Sequence, residues 1–342
     1  MKLIDIHLTN VTGLGAEKFA SGLIHHLFNN INISVENVYA SKKLKIPCTA
    51  RSVDVKYKIC KTGPFARVLE VFFWRYRHSQ KNDLLILGDL PLNTSVKQYV
   101  LCHQALMFKT FRFTSLNFLK FALFRLIFKI FLKEKDTVIV QTQEMAMKFR
   151  ESFGPKINVE TLDVTPDYFG WPMFYRSGRH SIANDGHAVT LIYPSAYYPH
   201  KNHHLLNEIY FDDTTIVKLT ISRSELKVAS DSIVFLERLS RDEIFDLYKT
   251  VDALLFLSCD ESLGMPILEA IKCNLPIICP YAEYTRRLND KNCFFFDLDD
   301  PSSLQTAIET AKSKILAGWW PQWSFSKSLK DKRNLSIEKI LD

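Results

Sequence analysis

The sequence has few of the features that mark specialised chains. Its seven cysteines, Cys48, Cys60, Cys102, Cys259, Cys273, Cys279 and Cys293, are odd in number and widely spread, and no Cys-x-x-Cys pair occurs. Neither a disulfide framework nor a zinc ribbon is supported. The N-terminus, Met1-Lys2-Leu3-Ile4-Asp5-Ile6-His7, lacks the long apolar core and small-residue cleavage site of a signal peptide. These absences lead us to expect a reducing, cytoplasmic compartment. No sequence repeat is visible. At 342 residues, with 47% hydrophobic and 24% charged residues, the composition is globular and excludes a disordered, collagen-like or coiled-coil chain. The length favours about two domains.

The net charge of +7 hides an asymmetry. Residues 1–165 carry 24 basic and 13 acidic side chains, hence +11, and the remainder carries 20 and 24, hence −4. The first part is therefore the one suited to an anionic partner. Within it, residues 42–61 hold seven lysines and arginines against Asp54 alone. That stretch reads either as a solvated basic loop or edge strand, or as a ligand- or membrane-facing segment.

Short apolar runs alternate with helical patterns. Lys2–Leu8 reads as a strand, followed by a loop with Gly13 and Gly15 and a helix through Phe19, Leu23 and Leu27. Leu84–Leu87, Tyr99–Cys102 and Thr137–Val140 are further strands, each with polar residues just past its C-terminal end. That is where open parallel sheets bind ligands. Residues 165–188 break the pattern with prolines and glycines and read as a hinge. A second alternation follows, with strands at 189–193, 216–221, 233–236, 252–257 and 276–279. Helices are expected at 203–210, 241–250, 266–273 and 302–315. The fold class is α/β, with two doubly wound domains.

Between two first-domain strands, Phe118–Lys133 is rich in Phe and Leu. Lys120, Arg125 and Lys129 within it make a bilayer span costly, at roughly 2.5–3.5 kcal/mol per charge. Arg125, Lys129 and Lys133 recur every four residues and share one helix face. The opposite face is Phe and Leu. This pattern suits a helix lying on an anionic membrane surface.

The most informative segment is Asp260-Glu261-Ser262-Leu263-Gly264-Met265-Pro266-Ile267-Leu268-Glu269-Ala270. Two glutamates stand eight positions apart, Glu261 after a strand and Glu269 one turn into a helix begun by Pro266. Both are expected to point toward one cleft. The amides of Leu263 and Gly264 and the helix N-terminus suit a phosphate. A second element, Leu191–His203, ends a strand, turns, and places Lys201 before the next helical segment.

The Glu-x-x-Gly-x-Pro-x-x-Glu-Ala run resembles glycosyltransferase family 4, the retaining enzymes of GT-B fold. Asn274-Leu-Pro-Ile-Ile-Cys279, Phe294-Phe-Phe-Asp297 and Leu247–Phe256 are similar to the landmarks that surround it in that family. The likeness is specific over about residues 189–316 and bacterial surface-polysaccharide in type. It implies two Rossmann-like domains facing a central cleft. Residues 1–165 would be the acceptor-side domain, 166–188 the hinge, 189–317 the nucleotide-sugar domain and 318–342 a crossover back to the first domain.

The resemblance also implies roles. Glu269 would accept hydrogen bonds from the nucleotide ribose, Glu261 would contact donor-sugar hydroxyls, and Lys201 would neutralise the departing diphosphate. Ser262, Leu263 and Gly264, with Gly13 and Gly15 in the first loop, would line the donor. His103, after a middle strand, would orient the sugar. Where the family often carries an arginine, this chain has Ser195; Arg223 and Arg238 are the candidate replacements. No cofactor and no metal is implied. His200, His203 and His204 lack a partner set for zinc, and Asp297-Leu-Asp299 lies beyond the donor elements. The expected activity is retaining transfer of a hexose-type sugar from a nucleoside-diphosphate sugar to a lipid-linked saccharide acceptor, at the inner face of the cell membrane. The alternatives are a non-catalytic membrane-surface protein of the same fold and a nucleotide-sugar epimerase. Nothing resembles a nucleic-acid-binding module.

Overall fold

In the computed structural model, the residues described are 2–11, 14–42, 55–60, 63–78, 81–103, 105–108, 116–162, 164, 188–228, 230–261, 263–286, 288, 291–323 and 335–342. The chain divides into two compact units, residues 1–170 with 331–342, and residues 171–330. The expected hinge at 166–188 lies almost wholly outside the described residues.

The first unit is a seven-stranded, all-parallel sheet in the order β3-β2-β1-β4-β5-β6-β7. Its strands are β1 (Lys2–His7), β2 (Ile33–Ser41), β3 (Lys56–Cys60), β4 (Asp83–Ile86), β5 (Gln98–Leu101), β6 (Thr137–Val140) and β7 (Asn158–Thr161). The central strands are buried on both faces, so they read as short apolar runs without alternation. Of the basic stretch 42–61, the described part is chiefly β3, an exposed edge strand. Charged side chains there discourage pairing with another edge.

The helices are α1 (Leu14–Asn29), α2 (Pro64–Arg77), α3 (Leu116–Phe131) and α4 (Gln143–Phe153). The strand order reverses between β3 and β4. Right-handed crossovers therefore set α1 on one face of the sheet and α2, α3 and α4 on the other. Trp74, Phe121, Phe128 and Phe149 from those three helices meet in one core. A short helix at the end of the chain, α8 (Ile337–Leu341), also belongs to this unit. The Tyr99 hydroxyl donates to the Leu341 carbonyl at 3.0 Å.

Helix α3 differs from its sequence expectation. Phe121 and Phe128 point into the core, and the exposed stripe is Leu119, Leu123, Leu126 and Ile130. The cations do not act as one surface. Arg125 turns its guanidinium onto the Met107 carbonyl at 2.9 and 2.6 Å, and Lys133 bonds the Thr94 carbonyl. Lys129 is exposed.

The second unit is a six-stranded parallel sheet, β10-β9-β8-β11-β12-β13. Its strands are β8 (Val189–Tyr193), β9 (Thr215–Leu219), β10 (Ile233–Phe235), β11 (Ala253–Leu255), β12 (Ile277–Pro280) and β13 (Cys293–Phe296). Helix α5 (Arg241–Tyr248) opens with a reciprocal Ser240–Glu243 capping box. Helix α6 spans Met265–Lys272, and α7 (Pro301–Leu316) is capped by Asp300. Of the helix expected at 203–210, His203–Asn207 forms a short 3-10 turn, preceded by another at Pro199–Lys201. Asn202 separates them at φ 50°, a left-handed conformation that ends one turn before the next begins. Trp323 packs on this unit, its indole N–H donating to the Leu275 carbonyl at 2.8 Å.

Candidate functional site

In the second unit the strand order reverses between β8 and β11. The crevice beyond the C-terminal ends of those two strands is the default ligand position in an open parallel sheet. The loops leaving them are fastened together there. The Cys259 amide donates to the His200 carbonyl at 2.9 Å, and Ser258 Oγ lies 3.1 Å from the same oxygen. The Tyr193 hydroxyl, at the end of β8, donates to the Lys201 carbonyl at 2.6 Å.

This brings Lys201 and Glu261, sixty positions apart, into direct contact. Nζ of Lys201 also lies 5.7 Å from the centroid of the Phe256 ring. Ser258 Oγ donates to the same carboxylate oxygen, Glu261 Oε1, at 2.8 Å. Both charged side chains keep about one-sixth of their surface open, 16% and 17%. The pair is therefore shielded enough for charge to matter and open enough to exchange partners.

Gly264 leads into α6 at φ 70°, and a Cβ there would stand 3.1 Å from Ile267 Cδ1. The positive φ favours glycine, and a larger residue would also have to push the Ile267 side chain aside. With Pro266 in the first turn and glycine at the N-cap, the start of α6 carries no side-chain cap among the described residues. Leu263 is buried, and Ser262 lies outside the described residues. Glu269 is buried too, at 4% exposure. It accepts from the Tyr248 hydroxyl at 3.1 Å and faces the charge of Arg241. The two glutamates of the motif thus have different surroundings: Glu261 pairs with a cation at the crevice, and Glu269 is held from below by α5.

Ser195, at the position where the resembled family often carries an arginine, is tied to Thr220 by a 3.0 Å bond from its amide to Oγ1. Arg223 and Arg238 follow the adjacent strands β9 and β10 and are exposed. His203 is buried, and neither ring nitrogen has a hydrogen-bond partner among the described residues. It packs between Tyr193 and Tyr197, with centroids 4.7 and 5.4 Å away. Burial, and then the charge of Lys201, lower its pKa to about 4. Among the described residues, no three of His, Cys, Asp and Glu gather as a metal would require. Asp297 and Asp299 bond within their own loop.

The first unit has its own strand reversal, between β1 and β4, and sequence reasoning missed what occupies it. His7 ends β1, and its Nε2 lies 3.0 Å from Glu70 Oε1. Thr9 Oγ1 donates to Glu70 Oε2 at 2.7 Å. Arg67 reaches Glu70 Oε2 at 2.7 Å, Thr9 Oγ1 at 3.0 Å and the Gly88 carbonyl at 3.3 Å. Burial pushes the Glu70 carboxyl up, but the His7 bond and the Arg67 and His7 charges win and hold it at about 2. Burial lowers the pKa of His7 despite Glu70. The available signal was an Arg-x-x-Glu pair inside an otherwise aromatic helix.

The loop after β4 is shaped by the same cluster. A Cβ on Gly88 would meet Asn10 Cβ at 2.9 Å, and Asn10 Nδ2 donates to the Gly88 carbonyl at 3.0 Å. Asp89 Oδ1 in turn accepts from the His103 amide at 2.6 Å. The His103 ring stands edge-on to Phe19 at 4.9 Å, and its buried Nε2 has no hydrogen-bond partner among the described residues. Gly13 lies outside the described residues, and Gly15 is in the first turn of α1.

Residues 218–314 match the family model "Glycosyl transferases group 1", a span that includes Glu261, Gly264 and Glu269 but not Lys201. The O-antigen chain mannosyltransferase RfbU of Salmonella typhimurium is 27% identical over 126 residues, 33% of this chain and 36% of that protein. The match thus spans about a third of that relative's length.

Solved structures extend the likeness to the whole chain. Sucrose-phosphate synthase from Thermosynechococcus elongatus superposes with a TM-score of 0.66 at 11% identity, covering 100% of this chain and 96% of that one. WaaG, a glycosyltransferase involved in lipopolysaccharide biosynthesis, gives 0.64 at 13%, covering 99% and 98%. Anabaena Alr3699/HepE, solved in complex with UDP-glucose, gives 0.60 at 13%, covering 100% and 97%. The chain therefore has the GT-B fold, and residues 218–314 of its second unit are similar to the glycosyl transferases group 1 family.

Proposed function

We propose that this chain is a retaining glycosyltransferase that moves a hexose-type sugar from a nucleoside-diphosphate sugar to a lipid-linked saccharide acceptor in surface-polysaccharide synthesis. The observation that carries the reading is the Lys201–Glu261 pair at the β8/β11 reversal. A diphosphate entering that crevice offers Lys201 a more highly charged partner than one carboxylate. Glu261, once released, is free to accept hydrogen bonds from sugar hydroxyls. The uncapped start of α6 adds favourable dipole to the same phosphate.

As the sugar–phosphate bond breaks, negative charge grows on the diphosphate and positive charge on the ring. Lys201 stabilises the first of these, an electrostatic contribution that needs no covalent step. The departing phosphate oxygen takes the acceptor's proton, so the new bond forms on the face the leaving group vacates. Neither glutamate serves as a nucleophile, and the carboxylate spacing rule of glycosidases does not apply. Glu269, fixed by Tyr248, is assigned to the ribose. His103 is assigned to the sugar, because a buried imidazole nitrogen with no hydrogen-bond partner among the described residues gains by finding a hydroxyl. Arg223 and Arg238 are the candidates to replace the cation absent at Ser195. The lipid-linked acceptor places the working enzyme at the inner face of the cell membrane, and UDP-glucose in Alr3699/HepE supports the class of donor.

The test is calorimetric titration with UDP-glucose, UDP-galactose and GDP-mannose, alongside the Glu269→Gln variant. One donor is expected to bind, with affinity falling about tenfold or more in the variant. If no nucleotide sugar binds the folded chain, or if the variant binds equally well, the assignment is wrong.

A further inference from the structure

The outer side of the α2 and α3 layer is unusual for a folded unit. Twenty large hydrophobic side chains are exposed among the described residues, and nine of them lie on these two helices. On α2 they are Phe65, Val68, Phe72, Phe73 and Tyr76, with Phe65 and Tyr76 about three-quarters exposed, 76% and 77%. On α3 they are Leu119, Leu123, Leu126 and Ile130. Each set follows helical spacing, while Val71, Trp74, Phe121 and Phe128 fill the core below. The helices meet where the Phe72 ring stands edge-on to Phe131 at 5.1 Å. Isolated exposed apolar residues are ordinary; two adjacent helices carrying parallel stripes form a patch that calls for an occupant.

Charge identifies the occupant. The exposed charged residues on the two helices are Arg75, Arg77, Lys120 and Lys129, all positive. The one acid on either helix, Glu70, is buried against Arg67 and His7. A second copy of this chain meeting the patch about a two-fold axis would set these four cations against their own copies. An anionic lipid surface instead satisfies both features, taking the aromatic and leucine side chains to headgroup depth and pairing the cations with phosphates. No described helix is long and apolar enough to cross a membrane, so the contact is one of lying on the surface.

We propose that the outer face of α2 and α3 is a docking surface for an anionic bilayer, with α2 contributing the aromatic anchors. This differs from the basic face first expected of α3, since Arg125 and Lys133 bond backbone carbonyls of their own unit. The proposal rests on the functional reading only in that a lipid-linked acceptor explains why such a face exists.

The test is sedimentation of the full chain with vesicles of phosphatidylcholine containing phosphatidylglycerol, and with phosphatidylcholine alone. Binding to the anionic vesicles that weakens with salt is expected. The combined variant Phe65→Ser, Tyr76→Ser, Leu126→Ser is expected to bind about 100-fold more weakly. Arg75→Gln, Arg77→Gln, Lys120→Gln, Lys129→Gln together are expected to cost a similar factor on anionic vesicles and little on neutral ones. Near-ultraviolet circular dichroism verifies that each variant is folded.

Three results overturn the proposal: no vesicle binding by the native chain, undiminished binding by the apolar variant, or a native dimer that the apolar variant converts to monomer. Donor titration of the same samples separates the two readings. Nucleotide-sugar binding without vesicle binding sinks the docking surface alone. Vesicle binding without nucleotide-sugar binding sinks the functional reading alone.

Discussion

The two strand reversals of this molecule use charge in opposite ways. At β1/β4, Arg67, Glu70, His7 and Thr9 form a buried network whose arginine also holds the Gly88 carbonyl. At β8/β11, Lys201 and Glu261 form a pair that keeps some solvent contact. The first arrangement resembles a rivet between loops, and the second a contact that a ligand can replace. A crevice at a strand reversal is therefore not by itself a binding site; what separates the two is whether the cation has somewhere else to go.

The widest gap between the regions should appear on removing each cation. Arg67→Ala strands Glu70 in the interior and is expected to destabilise the first unit by about 3–5 kcal/mol, read by urea denaturation. Arg67→Leu with Glu70→Leu should restore much of that. Lys201→Ala leaves Glu261 with Ser258 and some water, so stability should change by about 1 kcal/mol. Its expected effect is on turnover, which should fall about 100-fold or more once the donor is known. A large loss of stability at Lys201 with unchanged turnover would reverse the comparison.

Acid should sharpen it next. His203 holds its proton only below about pH 4 in the folded chain, against an ordinary value of 6.5. The unfolded chain therefore binds more protons between those values, and stability falls as pH drops through that window, by up to about 3 kcal/mol. Glu70 has the same sign over a lower window, from 4.5 down to about 2. His203→Phe keeps the stacking on Tyr193 and Tyr197 and removes two nitrogens that have no partner among the described residues. Denaturation curves of this variant at pH 7 and pH 4 should lie closer together than those of the native chain. An unchanged gap would count against His203 as the source.

The smallest expected effect is at Gly264, where alanine must adopt φ 70° and press on Ile267. A loss of about 1–2 kcal/mol in denaturant stability is expected. A neutral outcome would mean that the loop before α6 relaxes easily.

Much of this molecule was legible in its residues. Short apolar strands with polar ends gave two parallel sheets, and the Glu261–Glu269 run with Gly264 and Pro266 pointed to the candidate site in the second unit. The misreadings share a cause. On α3, periodicity separates two faces, Phe121 with Phe128 and Leu119 with Leu123, but both are apolar, so only packing shows which one meets the sheet. At 203–210 the apolar spacing suits a helix, yet the backbone closes only one 3-10 turn, His203–Asn207, because residue spacing over a single turn does not distinguish the two. The His7–Arg67–Glu70 network joins residues about sixty positions apart, and no local pattern in one sequence connects them.

The sequence by itself determined the alternation of strand and helix, the sorting of charge between the two parts of the chain, and the motif around Glu261. These depend on local spacing and composition, which survive without tertiary contacts. The tertiary structure alone decided that Lys201 rests on Glu261, that Arg67 is spent on Glu70, and that α2 rather than the basic side of α3 carries the exposed aromatic face. Those outcomes depend on which groups burial brings within hydrogen-bond reach, and a buried charge takes the nearest partner the fold provides.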